Sequence, residues 1–318
     1  MEFSADMKAT QLLGEEHHRL QERYRALLEE QDPGQRAAAA EPLLGELERH
    51  SCLEERLVYP ELARRGLDQD LVRHFGQEHG ELRRLISDFR LAREEEDRAL
   101  SPQCLMLLSR IMACVQRHVV EEEARAFPAL EASPAANAEL GAALAALRLK
   151  LKTFPPIQRR LELAVPARLA YDQWTRFEAF PCFLDSVTGV RQLDDAHVQW
   201  QVAMGGKDVQ WTAEIYEQIP DRRIAWISLD GAPNTGSVSF LPLNSGATRM
   251  LVEITSDPQG LLEDLGALVG VLATRVTNDL NKFKAFIETR APEAEGWRGR
   301  IEGTPVDPQV RRPEERPS

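Results

Sequence analysis

The stretch His50-Ser51-Cys52-Leu53-Glu54-Glu55-Arg56-Leu57-Val58-Tyr59-Pro60 recurs later as His118-Val119-Val120-Glu121-Glu122-Glu123-Ala124-Arg125-Ala126-Phe127-Pro128. The shared pattern is HxxxEExxx[YF]P. A shorter pair accompanies it: Glu16-His17-x-x-Leu20 and Glu78-His79-x-x-Leu82. The chain has seven histidines, and six of them (His17, His18, His50, His74, His79 and His118) fall in its first 118 residues. The N-terminal half therefore reads as two related helical hairpins.

Spacing gives the repeat its chemistry. Residues i and i+4 share a helix face, so His50 with Glu54, and His118 with Glu122, aim a nitrogen and a carboxylate the same way. Depth agrees. His17 lies roughly 14 Å along its helix from a start near Lys8, at 1.5 Å per residue. His50 and His118 lie comparable distances before Pro60 and Pro128, and His79 a comparable distance into its own helix. With antiparallel alternation, four imidazoles and two carboxylates meet at one level of a bundle core. Six ligands exceed the needs of one tetrahedral zinc. Two metals bridged by Glu54 and Glu122 use all six, and mixed nitrogen and oxygen donors with open positions suit non-haem iron. A ferritin-like pattern needs Glu-x-x-His on two helices, and Glu15-x-x-His18 is the one such match.

Working outward, apolar residues at helical spacing predict a first helix through Leu12, Leu13, Leu20, Tyr24, Leu27 and Leu28, ended by Asp32-Pro33-Gly34. A second is expected from about Gln35 to Tyr59 and a third from about Asp68 to Asp97. A fourth is opened by Ser101-Pro102 and runs to about Phe127. Short connections predict an up-down four-helix bundle. Ala135 to Leu151 reads as a further helix leading to a Pro-rich linker at Thr153-Phe154-Pro155-Pro156.

Beyond the linker the apolar period becomes two, as in Val198, Trp200, Val202 and Met204, then Val209, Trp211, Ala213 and Ile215. A long amphipathic helix follows, from Leu261 to about Arg290. This half reads as α+β, an antiparallel sheet packed on a helix. The expected layout is a bundle at 8–131, a helical segment and linker at 132–156, an α+β domain at 157–290, and a disordered tail at 291–318.

Composition bounds the rest. With 318 residues, 43% hydrophobic, the chain is long enough for two cored domains. A net charge of −12 argues against nucleic acid or an anionic membrane as the main partner. The four cysteines form no CxxC pair and read as reduced thiols. No targeting or transmembrane segment is expected, so the default compartment is cytoplasmic.

Residues 8–131 resemble a hemerythrin-like HHE cation-binding domain, on the two HxxxEExxx[YF]P and two EHxxL copies. The resemblance implies a carboxylate-bridged di-iron site with His17, His50, Glu54, His79, His118 and Glu122 as ligands. Oxygen-carrying hemerythrins use a fifth histidine one turn before the third-helix ligand, and Phe75 stands there. His74 is rotated about 140° from His79 and reads as exposed or supporting. Glu55, Glu123 and Tyr59 are further supporting or replacement candidates. A set of four histidines and two glutamates resembles the iron-centre repair proteins linked to nitric oxide and oxidative stress.

Residues 157–290 resemble the START/Bet v 1-like superfamily, within it the polyketide cyclase/dehydrase and coenzyme Q-binding START group. The resemblance rests on Trp174-x-x-Phe177-x-x-Phe180-Pro181, Val209-Gln-Trp211-Thr-Ala-Glu214-Ile, Pro220-Asp-Arg-Arg-Ile224-Ala-Trp226, Gly231-Ala-Pro-Asn234-x-Gly236 and Asp279-Leu280-Asn-Lys-Phe283-Lys. It implies a helix-grip fold with an apolar cavity. Trp200, Met204, Trp211 and Trp226 are expected first as core and second as the lining of such a cavity. No catalytic constellation shows in this half.

Together these readings predict a di-iron protein that binds O₂ or NO, or responds to iron or redox state, with an appended domain for an apolar ligand or partner. A di-iron NO or O₂ reductase, or an iron-centre repair protein, is one alternative. A lipid- or quinone-binding or cyclase-like protein with a regulatory metal site is the other. Binding is favoured over catalysis.

Overall fold

The computed structural model describes residues 7–93, 99–153, 157–204, 207–230, 234–256, 266–289 and 296–302. The chain divides into two compact units, an all-α bundle and an α+β helix-grip domain, with the division after Thr153.

The bundle is built on α1 (Ala9–Glu29), α2 (Pro33–Leu53), α4 (Gln69–Ala92) and α5 (Pro102–Arg125). Asp32 caps α2 by accepting the Gln35 N–H at 2.8 Å, and Ser101 caps α5 by accepting that of Cys104 at 3.2 Å. Each cap is followed by proline at the first helical position, where no donor is lost. Asp32-Pro33 thus opens the second helix as well as ending the first.

The two repeats end differently. After Leu53 the chain makes a π-helical turn, Glu54–Val58, in which the Tyr59 N–H donates to the Glu54 carbonyl. It then continues as α3 (Tyr59–Arg64). Pro60 has no N–H for the Arg56 carbonyl, and its ring crowds the preceding turn. The expected unbroken helix to Tyr59 is therefore widened at the site itself. At Pro128 the second copy breaks outright, into α6 (Phe127–Glu131).

The Ala-rich segment forms α7 (Pro134–Thr153). It packs on α1, α2 and α6 and buries Leu140 and Leu144 in the bundle core. Close approach explains Gly141, where a Cβ would meet the Met7 carbonyl. Two apolar clusters fill the bundle. One includes Leu44, Leu85, Phe89 and Ile111, the other Leu12, Val58, Phe75 and Leu130. The polar layer containing His17, His50, His79 and His118 belongs to neither.

The second unit is an antiparallel sheet in the order β1-β7-β6-β5-β4-β3-β2. Its strands are β1 (Ile157–Leu163), β2 (Val187–Gln192), β3 (His197–Met204), β4 (Lys207–Ile219), β5 (Arg223–Ser228), β6 (Asn234–Asn244) and β7 (Ala247–Ser256). Bulges at Val187/Gly189, Ile215/Glu217 and Pro242/Asn244 add local bend and twist. Gly236 lies opposite Trp226, whose ring a Cβ there would strike. α8 (Ala167–Trp174), a 3₁₀ segment (Phe177–Cys182) and α9 (Gly266–Thr289) complete the core. The expected start of the long helix at Leu261 lies outside the described residues.

The expectation of a disordered tail from 291 fails at Gly296–Glu302. Ile301 and Glu302 form β8 beside β4. Arg298 donates to Asp172 at 2.6 Å and Asp221 at 2.7 Å. The remainder of the tail lies outside the described residues. Among the described residues no helix is long and apolar enough to cross a membrane.

Candidate metal centre and apolar cavity

All six predicted ligands converge. Glu54 spans the two histidine pairs. Its Oε1 lies 2.9 Å from His50 Nε2 and 3.7 Å from His17 Nε2. Its Oε2 lies 3.2 Å from His79 Nε2 and 3.6 Å from His118 Nε2. Glu122 Oε2 lies 3.4 Å from His17 Nε2 and 4.0 Å from His118 Nε2. Two overlapping donor groups result, His17/His50/Glu54/Glu122 and Glu54/His79/His118.

Each imidazole is fixed from behind by a carboxylate on the next helix. His50 Nδ1 donates to Glu16 at 3.0 Å, His79 Nδ1 to Glu55 at 3.1 Å, His118 Nδ1 to Glu78 at 2.9 Å and His17 Nδ1 to Glu123 at 2.8 Å. The ring of contacts runs α1 to α2, α2 to α4, α4 to α5 and α5 to α1. A carboxylate accepts only, so each Nδ1 carries the hydrogen and each Nε2 is turned inward. Carboxylates behind imidazoles orient metal-binding histidines and raise their basicity.

The donor set suits a cation. Glu54 and Glu122 are 0% exposed, and Glu54 Oε1 and both Glu122 oxygens have no hydrogen-bond partner among the described residues. The facing nitrogens of His17 and His50 are 3.0 Å apart, and those of His79 and His118 3.2 Å apart. Such a group of buried acceptors is costly unless something positive sits among them.

Metal-free, the imidazoles supply that charge as protons. Burial opposes charge on His17, but Glu122 and Glu54 outweigh it and push its pKa up to about 11. The same contest takes His118 to about 10, through Glu54 and Glu78. It takes His50 to about 9, through Glu54 and Glu16. Burial also opposes the Glu54 charge, yet His50, His118 and His17 hold its carboxyl well below the usual range. Glu122 is raised by burial and by the charge of Glu54.

The supporting candidates sort by contact. Glu55 and Glu123 brace His79 and His17 rather than replacing Glu54 or Glu122. Tyr59, following the π-helical turn, brings its hydroxyl to 3.3 Å from His79 Nε2 and 3.5 Å from both His118 Nε2 and Glu54 Oε2. Phe75 is fully buried, stacked on Tyr59 and edge-on to His118. His74 is exposed and lies 3.2 Å from Glu121, away from the centre. His18 is exposed beside Glu22.

Sequence reasoning missed Glu16 and Glu78 as bracing groups, although both stood in the EHxxL motif. It also missed the cations behind the brace: Arg148 of α7 lies 3.0 Å from Glu16, Arg83 2.6 Å from Glu55 and Arg117 2.9 Å from Glu78.

The second unit holds a half-open cavity of ≈ 210 Å³. Trp200, Trp211 and Trp226 line it with Phe177, Val252 and Leu280, so these tryptophans are not simply core filling. Met204 carries a side chain outside the described residues. Trp200 and Trp211 stand opposite one another on β3 and β4, their rings parallel within 9° and 6.2 Å apart. Polar groups are sparse on this wall. Trp226 Nε1 donates to Asn234 at 3.1 Å, and Ser186 donates to Asp279 at 2.6 Å. Trp211 Nε1 is buried with no acceptor among the described residues.

A bundle with duplicated histidine and glutamate donors at mid-height is a cation-binding type of helical domain, and a curved antiparallel sheet gripping one long helix is a helix-grip α+β domain. Residues 8–130 match the family model of the Hemerythrin HHE cation binding domain, and residues 163–285 match that of the Polyketide cyclase / dehydrase and lipid transport family. The chain is 36% identical over 146 residues to the uncharacterized 17.2 kDa protein in the melC2-rnhH intergenic region of Streptomyces lincolnensis, covering 46% of this chain and 97% of that one. Among solved structures it is similar to DR_A0006 from Deinococcus radiodurans, with 26% identity over 42% of this chain and 98% of that chain (TM-score 0.35). A START superfamily protein from Mycobacterium smegmatis matches with 19% identity over 42% of this chain and 97% of that chain (TM-score 0.38).

Proposed function

We propose that the bundle holds two non-haem iron ions and binds O₂ or NO, or reports iron and redox state, while the second domain receives an apolar ligand such as a lipid or quinone. One observation carries the first part. Glu54 and Glu122, fully buried, place oxygens without hydrogen-bond partners among four Nε2 atoms that are braced from behind. His17 and His50 with Glu122 serve one ion, His79 and His118 the other, and Glu54 serves both. Iron held there supplies coordination of a diatomic gas and, given a reductant, electron transfer to it. The apolar lining of the ≈ 210 Å³ cavity supports the second part.

The deciding experiment is anaerobic iron(II) reconstitution of the full chain, followed by metal analysis and optical spectra with O₂ and with NO. The expected result is two irons per chain and gas-dependent spectra. Fewer than about one iron per chain overturns the assignment, because ligands this buried bind a matching metal tightly. His50→Ala with His118→Ala is expected to abolish the gas-dependent spectra.

Tyr59 favours a second reading, reductive turnover. Burial and the surrounding carboxylates raise its pKa well above the usual phenol range, so the hydroxyl keeps a proton beside His79 and His118. A hydroxyl that keeps its hydrogen in that place can donate a hydrogen bond to a bound gas as it is reduced. Catalytic consumption of NO by the reconstituted chain, lost in Tyr59→Phe with iron content unchanged, would decide for it.

A further inference from the structure

We infer that cations reach the centre at one corner of the bundle, past Glu123 and His17. The inference rests on the reading of the bundle as a metal centre and adds the route of loading.

The four bracing carboxylates differ in what lies behind them. Glu16, Glu55 and Glu78 each face an arginine, Arg148, Arg83 and Arg117 respectively. Their charge is neutralised where it would be felt from solvent, and the guanidinium itself repels an approaching cation. Among the described residues, His17 is the one ion-pair partner of Glu123. The Glu123 side chain is also the most exposed of the four, at 43% against 23% for Glu55 and less for the others.

The inner side of the same corner completes the route. His17 Nδ1 is 2.8 Å from Glu123, and its Nε2 is 3.4 Å from Glu122 Oε2. Both Glu122 oxygens are buried without a hydrogen-bond partner. One imidazole ring therefore separates an exposed carboxylate from a buried acceptor. Phe127, half-buried, stacks on that ring at 5.9 Å. To admit an ion, one ring must turn aside. His17 is the ring whose outer anchor is not itself held by an arginine. Glu123, the exposed brace with no arginine paired to it among the described residues, collects the cation from solvent, and rotation of His17 passes the ion to Glu122.

The test is stopped-flow uptake of cobalt(II) by the full metal-free chain, followed through the visible bands of the bound ion, with chelator-driven release measured separately. Glu123→Gln is expected to slow uptake on the order of threefold to tenfold, with the effect shrinking at high salt, while cobalt bound at saturation stays the same. Glu55→Gln, which removes the equivalent brace from His79, is expected to leave the uptake rate unchanged and to speed release. A purely bracing role for Glu123 predicts the Glu55→Gln pattern in both variants, and that result overturns the proposal. So does equal slowing of uptake in both. Wild-type chain that takes up no cobalt overturns the metal reading itself, whereas wild-type uptake with no slowing in Glu123→Gln overturns only the route.

Discussion

Glu16 braces His50 on the neighbouring helix, accepting its Nδ1–H at 3.0 Å, although its neighbour in sequence is His17. Adjacent helical residues point about 100° apart. The EH dipeptide therefore serves two places at once, its histidine turned into the core and its glutamate turned to the next helix. The same holds for Glu78, which braces His118 rather than His79. Each helix of the bundle is tied to the next through the histidines that form the centre, so packing and site geometry are one network.

Arg148 is the outermost link of that network. It is mostly buried and lies 3.0 Å from Glu16. Removing it leaves the buried Glu16 carboxylate with His50 as its remaining ion-pair partner among the described residues, and Arg148→Met is expected to cost roughly 2–3 kcal/mol, at or below the low end for breaking a buried pair because Glu16 keeps His50 and the arginine keeps some solvent contact. Metal affinity should fall roughly tenfold, as a loosened brace does at other sites. Urea denaturation and a competition titration against a chelator measure the two effects. A variant matching the wild type in both would show that α7 is a bystander.

Glu54 and His79 should give different stoichiometries on replacement. Glu54 directs one oxygen to each histidine pair, while His79 belongs to one pair. Glu54→Ala is expected to lose both ions, and His79→Ala only the ion of its own half. Metal analysis after gel filtration of reconstituted protein checks this. Equal iron content in the two variants would argue against a shared carboxylate.

The difference between inner and outer residues also marks what the sequence made legible. His17, His50, Glu54, His79, His118 and Glu122 were readable because one rule, the helical period, governs them and the duplication states it twice. The braces obey a second rule, contact between different helices, which spacing along one helix does not contain. The π-helical turn at Glu54–Val58 was invisible for a similar reason, since widening a turn leaves composition unchanged. Arg148 sits in an Ala-rich helix with little amphipathic pattern, so nothing distinguished it from a surface arginine. In the second unit, alternation identified the strands, but whether Trp200, Trp211 and Trp226 fill a core or line a cavity depends on sheet curvature. The bulges set that curvature locally.

The cavity offers its own test. Val252, on β7, is buried in the wall facing the ≈ 210 Å³ space. Val252→Phe places a ring in that space, so folding stability should change little while room for a ligand shrinks. Binding of 1-anilinonaphthalene-8-sulfonate, followed by its own fluorescence, is expected to weaken about tenfold. Undiminished dye binding would place the apolar site elsewhere.

Protons and metal compete for the same nitrogens, and that fixes the sign of the pH dependence. In the metal-free fold His50, His118 and His17 are raised to about 9, 10 and 11, by carboxylates that outweigh the effect of burial. In the unfolded chain each titrates near 6.5. A raised folded-state pKa stabilises fully below the unfolded value, and the stabilisation is lost as pH climbs through the folded one. Metal-free protein should therefore melt at progressively lower temperature from about pH 6.5 to about pH 9. Over the same window a bound cation must still displace those protons, and their release becomes easier as pH rises, so its affinity rises. The gap in melting temperature between metal-loaded and metal-free protein should widen with pH. Calorimetric scans at constant ionic strength measure that gap. If it stayed constant or narrowed, the protons on His17, His50 and His118 would not be the ones a metal replaces.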